Sequence, residues 1–185
     1  FDLQTVNDLT FTNLSIAGAA IGINGPPSSN SDRITIFNNE FYGNADAGIF
    51  VSTGNDDWLI SGNNVHSDNG GFARGNRGIY VTGSGAGVSG ITISNNVVYG
   101  HSRVGIDVGG ASGTVSGNDV YGNDIGISAS SVTVAGNSVH HNTSSGINFY
   151  GGAVVLNNTV YGQLTANATG VYITSGEARG NVVYD

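Results

Sequence analysis

Asn118-Asp-Val-Tyr121, Gly126-Ile-Ser-Ala129, Val132-Thr-Val134, Asn137-Ser-Val-His140 and Gly146-Ile-Asn-Phe149 follow one another between residues 118 and 149. Each is a short alternation of apolar and polar positions, the pattern of a half-buried strand. The fourth segment repeats the first and the fifth repeats the second. The same three-part unit extends outward in both directions. Its first part returns as Asn39-Glu-Phe-Tyr42, Asn63-Asn-Val-His66, Asn96-Val-Val-Tyr99, Asn158-Thr-Val-Tyr161 and Asn181-Val-Val-Tyr184, with a weaker first copy at Leu14-Ser-Ile-Ala17. Successive copies stand 25, 24, 33, 22, 19, 21 and 23 residues apart. The second part returns as Gly48-Ile-Phe-Val51, Gly78-Ile-Tyr-Val81, Gly105-Ile-Asp-Val108 and Gly170-Val-Tyr-Ile173, and the series is taken to begin at Ala20-Ile-Gly-Ile23. The third part includes Ile34-Thr-Ile36, Trp58-Leu-Ile60, Ile91-Thr-Ile93 and Ala153-Val-Val155.

Three such strands in a repeat of roughly 22 residues are too short to form useful hairpins, so each must pair with its counterpart one repeat away. The expected fold is therefore all-β: a right-handed parallel β-helix of about eight coils with three parallel sheets, handed by the rule for parallel crossovers. The asparagine that opens each first strand has a structural role in this reading. Its amide donates to and accepts from equivalents one coil away, which predicts that Asn96, Asn118, Asn137 and Asn158 are buried, stacked and amide-bonded.

Composition agrees. The chain has 31 glycines and 23 asparagines but only 10% charged residues, a vocabulary of tight turns rather than helices. The absence of cysteine excludes a disulfide framework and thiolate metal sites. No lysine is present, and five Arg face thirteen carboxylates for a net charge of -8, which argues against binding nucleic acid. No apolar run is long enough to span a membrane. Residues 1–185 read as one domain, expected to be a segment of a larger secreted or cell-surface protein. Open strand edges are expected around Ile21 and Ile34 at one end and around Val171 and Val182 at the other, favouring end-to-end stacking of copies.

The repeat resembles the pectate-lyase-like parallel β-helix superfamily over Leu9 to Tyr184. Within it, a more distant similarity links the chain to mannuronan C5-epimerase modules, which carry Tyr-Gly-x-Asp-Pro-His on the equivalent strand. Here that stretch is Val104-Gly-Ile-Asp-Val-Gly109. Glycine and aspartate match, whereas Val104, Val108 and Gly109 replace tyrosine, proline and histidine. The resemblance thus carries over only Asp107 as a catalytic candidate.

With the inward positions fixed, the outward ones form columns. Tyr42, His66, Tyr99, Tyr121, His140, Tyr161 and Tyr184 make an aromatic column, read as packed rings or as a sugar-stacking surface. Gly22, Phe50, Tyr80, Asp107, Ser128, Asn148 and Tyr172 make a second, irregular row. The candidate carbohydrate-binding residues are Tyr99, Tyr121, His140, Asn148 and Tyr172. The variable turn between the two columns gathers His66, Arg74, Arg77, His101, Arg103, His140 and His141. Removing the proton α to a uronate carboxylate needs a cation, a base and an acid. Arg77 or Arg103 is the candidate cation, His101 or Asp107 the base, and Tyr80 or Tyr99 the acid. No cofactor is required and no metal site is assigned, though Asn55-Asp-Asp57 with Asp32 and Asp46 offers oxygen ligands for calcium. Two functions follow. The first is a non-catalytic extracellular stalk, adhesin or filament unit, with a polysaccharide or copies of itself as partner. The second is a polysaccharide lyase or C5-epimerase module acting on an acidic polysaccharide such as alginate or pectate.

Overall fold

The computed structural model describes residues 1–67, 75–84, 87–152 and 154–185. Arg74 and Ala153 lie outside the described residues. The described chain is all strand and turn, wound as a parallel solenoid with three sheets. We name the sheets after their motifs. Sheet T holds eight strands from Thr10–Thr12 to Glu177–Arg179, sheet N eight from Ser15–Ala17 to Val182–Tyr184, and sheet G seven from Ile21–Gly25 to Thr169–Ile173. Seven complete turns and two strands of an eighth result, close to the eight coils expected.

Every strand pairs in parallel with its counterpart one coil away. Asp119, Val120 and Tyr121 face Val97, Val98 and Tyr99 on one side and Ser138, Val139 and His140 on the other. The middle residue of each short strand points inward. Ile60, Ile93, Val115 and Val134 from sheet T meet Val65, Val98, Val120 and Val139 from sheet N, and all are fully buried. Burying each such side chain contributes about 1.5–3 kcal/mol, so the stack is held by many equal small terms.

The asparagine ladder is formed as expected. Asn118 Nδ2 donates to Asn137 Oδ1 at 2.9 Å and to the Ile93 carbonyl at 3.0 Å, while its own Oδ1 accepts from Asn96 N and Nδ2, both at 2.9 Å. The pattern runs from Asn39 through Asn63, Asn96, Asn118, Asn137 and Asn158 to Asn181. Each interior amide from Asn63 to Asn158 therefore touches the coils before and after it, and pairs polar groups buried at the turn between sheets T and N.

Two expectations need correction. The first copy of the glycine motif is Gly22-Ile-Asn-Gly25, because Ile23 is registered on Ile49 and Asn24 on Phe50. Glycine dictates this register. A Cβ at Gly22 would sit 2.6 Å from the Gly48 carbonyl oxygen, and one at Gly105 would sit 2.8 Å from each of the Gly126 carbonyl oxygen, Asn123 Nδ2 and Val120 Cγ1. Sheets N and G converge here too closely for any side chain, so Asn24 rather than Gly22 heads the outward row. The second correction concerns the first coil. Ile34 lies inside the stack because Thr10–Thr12 pairs with Thr35–Phe37, and Ile21–Gly25 is covered by Phe1–Leu3 through the Asp2–Asn24 bridge. At the other end, Val182 and Val183 are more than half exposed.

Candidate functional site

The aromatic column of sheet N is continuous. Its six ring-to-ring steps have centroid separations of 4.8–5.7 Å and interplanar angles of 2–15°, from Tyr42–His66 through Tyr99–Tyr121 to Tyr161–Tyr184. The strand spacing of about 4.8 Å imposes this separation. Each interior ring has both faces covered by neighbours, so Tyr99, Tyr121 and His140 turn edges, not faces, toward a ligand. Each histidine is also tied to a carboxylate one coil earlier, His66 Nε2 to Glu40 Oε1 at 3.2 Å and His140 Nε2 to Asp119 Oδ1 at 3.0 Å.

Sheet G is different. Its outward row, from Asn24 through Phe50, Tyr80, Asp107, Ser128 and Asn148 to Tyr172, is in register across all seven strands. Arg77 begins its strand three residues before Tyr80, and its Nε donates to Asp107 Oδ2 at 2.8 Å. The same guanidinium lies over the Tyr80 ring, 4.1 Å from its centroid, and Phe50 tilts against Tyr80 from the coil above with centroids 5.1 Å apart. Arg77 and Asp107 are only 15% and 20% exposed, which makes them a well-ordered, partly desolvated pair. Further down, Ser145 Oγ donates to Asn148 Oδ1 at 2.5 Å, and Tyr172 is half exposed.

Of the catalytic candidates, Arg77, Tyr80 and Asp107 come together. Arg103 is exposed and makes no ion pair among the described residues. His101 is placed inside the coil, 2% exposed. Its Nε2 lies 3.3 Å from the Val65 carbonyl, and its backbone N–H donates to Asn123 Oδ1 at 3.0 Å. In the next coils Asn123 Nδ2 reaches Val98 O, Asn142 Nδ2 reaches Val120 O and Gln163 Nε2 reaches Val139 O in the same way. His101 is thus one member of a second buried ladder, at the turn between sheets N and G. Sequence reasoning missed this ladder because its members differ in type, although Asn123 and Asn142 each stand five residues beyond a first-ladder asparagine.

The aspartates read as calcium ligands do not converge. Asp32 Oδ1 accepts from Asp56 N and Asp56 Oδ1 accepts from Ser89 N, capping turns from coil to coil, whereas Asp46 accepts from Asn76 on another turn. Among the described residues no three His, Asp or Glu side chains group as a metal centre. A cavity of about 690 Å³ opens on the last coil beside Gln163, Leu164, Val183 and Tyr184, and none of the sheet G candidates lines it. Among the described residues no helix is long and apolar enough to cross a membrane.

These features define a right-handed parallel β-helix. The family model described as a right handed beta helix region matches residues 1–120 and again 28–184, and the chain belongs to that family. None of the curated proteins matches it in sequence. Among solved structures it is similar to the periplasmic alginate epimerase AlgG, at 16% identity and a TM-score of 0.73, covering 100% of this chain and 46% of that one. It is also similar to the A-module of the Azotobacter vinelandii mannuronan C-5 epimerase AlgE6, at 15% identity and a TM-score of 0.58, covering 96% of this chain and 58% of that one. The chain spans about half the length of these structures, and at such identities the likeness is one of fold.

Proposed function

We propose that the chain is a non-catalytic β-helix segment of an extracellular protein that contacts a polysaccharide along the outward row of sheet G. One observation carries the reading. The aspartate matched to the epimerase motif, Asp107, is held by Arg77, and Arg77 is seated on Tyr80, so the candidate base, cation and acid are engaged with one another. His101, the other candidate base, serves the coil interior. What remains on the row suits binding. Aromatic rings at Phe50 and Tyr80 on one side and Tyr172 on the other flank the hydrogen-bonding groups of Asp107, Ser128 and Asn148, and a sugar chain laid across the strands meets one of these residues about every 4.8 Å. AlgG, a periplasmic protein that acts on alginate, is built on the same coil, and a location outside the cytoplasm belongs to this proposal.

The clustering of Arg77, Tyr80 and Asp107 also favours a second reading, a lyase or C5-epimerase module. A uronate carboxylate displacing Asp107 from Arg77 would free that carboxylate to act as base, with the Tyr80 hydroxyl as acid. Affinity electrophoresis against alginate, pectate and a neutral glucan separates the two when combined with turnover assays. Binding weakened by Tyr80→Ala and Tyr172→Ala, with no unsaturated uronate and no C5 proton exchange in deuterated buffer, supports the first. Exchange that disappears in Asp107→Asn establishes the second.

A further inference from the structure

One coil of sheet N departs from its own repeat. The residue after the outward ring takes a left-handed backbone in each of four tyrosine coils, where it is glycine: Gly43, Gly100, Gly122 and Gly162, with φ between 59° and 81°. After His140 the position is filled by His141 at φ 51°. A non-glycine side chain there carries a conformational cost that the glycine coils avoid.

The departure places two imidazoles together. His140 Nδ1 and His141 Nδ1 are 2.8 Å apart, with the ring planes at 90°. His140 is clamped between Tyr121 and Tyr161, and its Nε2 faces Asp119 Oδ1 at 3.0 Å. A neutral His140 that donates Nε2–H to Asp119 presents its Nδ1 lone pair toward His141, which donates Nδ1–H in return. This is the arrangement of a metal-ligating histidine, whose far nitrogen is characteristically held by a carboxylate. Two imidazole nitrogens about 2.0–2.1 Å from one ion stand about 2.9 Å apart at the roughly 90° of square-planar copper or nickel, close to the separation observed, and about 3.3 Å apart at the tetrahedral angle of zinc, which the exposed His141 reaches by a small displacement. His141 is exposed and rests edge-on against Tyr161, so the pair opens to solvent.

We propose that His140 and His141 form a two-nitrogen chelate for a divalent later first-row transition metal, with Asp119 as the positioning carboxylate. On binding, the Nδ1 proton of His141 moves through solvent to its Nε2, and the exposed His141 ring turns so that both Nδ1 lone pairs converge on a metal to one side of the line that joins them, in exchange for the hydrogen bond between the rings. Imidazole donors favour zinc, nickel and copper over calcium or magnesium. Among the described residues no third His, Asp or Glu joins the pair, so the remaining coordination positions go to water or to an oxygen of a ligand.

The repeat supplies its own control. His66 is also stacked between tyrosines and tied to a carboxylate, Glu40, but Ser67 follows it where His141 follows His140. Titration of the whole chain with zinc by calorimetry, and with copper by electron paramagnetic resonance, tests the proposal. One equivalent should bind, with two nitrogen donors in the copper spectrum. His141→Gly restores the residue used by the tyrosine coils and so preserves the fold, yet should weaken zinc binding at least tenfold and leave one nitrogen in the spectrum. Asp119→Asn should weaken binding by about tenfold, and His66→Tyr should leave it unchanged. Equal affinity in the parent and His141→Gly, loss in His66→Tyr instead, or no binding by the parent at millimolar zinc would each overturn it.

Discussion

Sheets N and G run up the same coils, share one register and differ in how strictly the outward position repeats. On sheet N the residue is a ring in every coil from Tyr42 to Tyr184, and each interior ring's faces are satisfied by the rings above and below. On sheet G it changes from Phe50 to Tyr80 to Asp107 to Ser128, and no single contact repeats along the row: Phe50 tilts on Tyr80, Arg77 bridges Tyr80 and Asp107, and Asn148 is held by Ser145. Strict repetition makes a face self-sufficient. Broken repetition leaves groups whose partners must come from elsewhere, which is why the candidate binding surface lies on sheet G and why the paired-histidine coil of sheet N is also a candidate site.

The largest effect expected comes from breaking the ladder at the turn that leads into sheet N. Asn118→Ala deprives Asn96 of the acceptor for two N–H groups and the Ile93 carbonyl of a donor, all in the buried interior. At about 1–3 kcal/mol for a buried group left unpaired, a loss on the order of 3 kcal/mol is expected in denaturant unfolding. An unchanged midpoint would mean that the turn recovers its hydrogen bonds from water and that the ladder is dispensable. Gly105→Ala comes next. Its Cβ contacts of 2.8 Å include the Gly126 backbone carbonyl, and overpacking of this kind costs about 1–3 kcal/mol.

A pair of substitutions in one coil tests the comparison directly. Tyr121 has a ring stacked on each side, at 4.9 Å and 5.0 Å, whereas Ser128 on sheet G has no stacking partner among the described residues. At about 0.5–1.5 kcal/mol for each aromatic pair, Tyr121→Ala should lower stability by about 1–3 kcal/mol. Ser128→Ala should stay within about 0.5 kcal/mol of the parent while weakening polysaccharide retention. The reverse ranking in thermal melts would remove the distinction between a self-satisfied face and an available one.

Much of this was legible in the sequence. The period, the three strands and the first ladder follow from Asn-x-Val-Tyr, Gly-Ile-x-Val and the Ile-Thr-Ile-like segment before each asparagine, because a solenoid side chain meets copies of itself and the repeat writes each contact many times. Features that occur once were harder. His101 carries the shape of a catalytic residue but does the work of an asparagine in a ladder whose members are Asn44, Asn123, Asn142 and Gln163, too varied to stand out as a motif. The Arg77–Asp107 pair required knowing that an arginine three residues before Tyr80 lies on the same face as the residue opposite Tyr80 one coil down. The glycine register at Gly22 depended on how closely two sheets approach, a distance that no single strand records.

The smallest effect lies outside both faces, at the turn from sheet G to sheet T. Arg33 Nε and Nη2 clasp the two oxygens of Asp8 from the next coil, at 2.6 Å and 2.9 Å, with both side chains more than half exposed. The hydrogen bond from Arg33 holds the Asp8 carboxyl below the usual aspartate range, and Asp8 in turn raises Arg33. A carboxylate with a depressed folded pKa contributes stability that is fully present above its unfolded value and is lost as pH falls through the folded one. The contribution therefore persists at neutral pH and disappears only in the acid range below that of an ordinary aspartate. Being exposed, the pair is screened by salt and contributes little. Carbon-detected NMR titration of the Asp8 carboxyl should place its midpoint below that of a free aspartate, return it toward the ordinary value in Arg33→Gln, and move it partway in 1 M salt. A midpoint unmoved by Arg33→Gln would detach the shift from the arginine. A fall in melting temperature at pH 7 as large as that of Tyr121→Ala would show that exposed pairs between coils, and not the stacked rings of sheet N, hold neighbouring coils together.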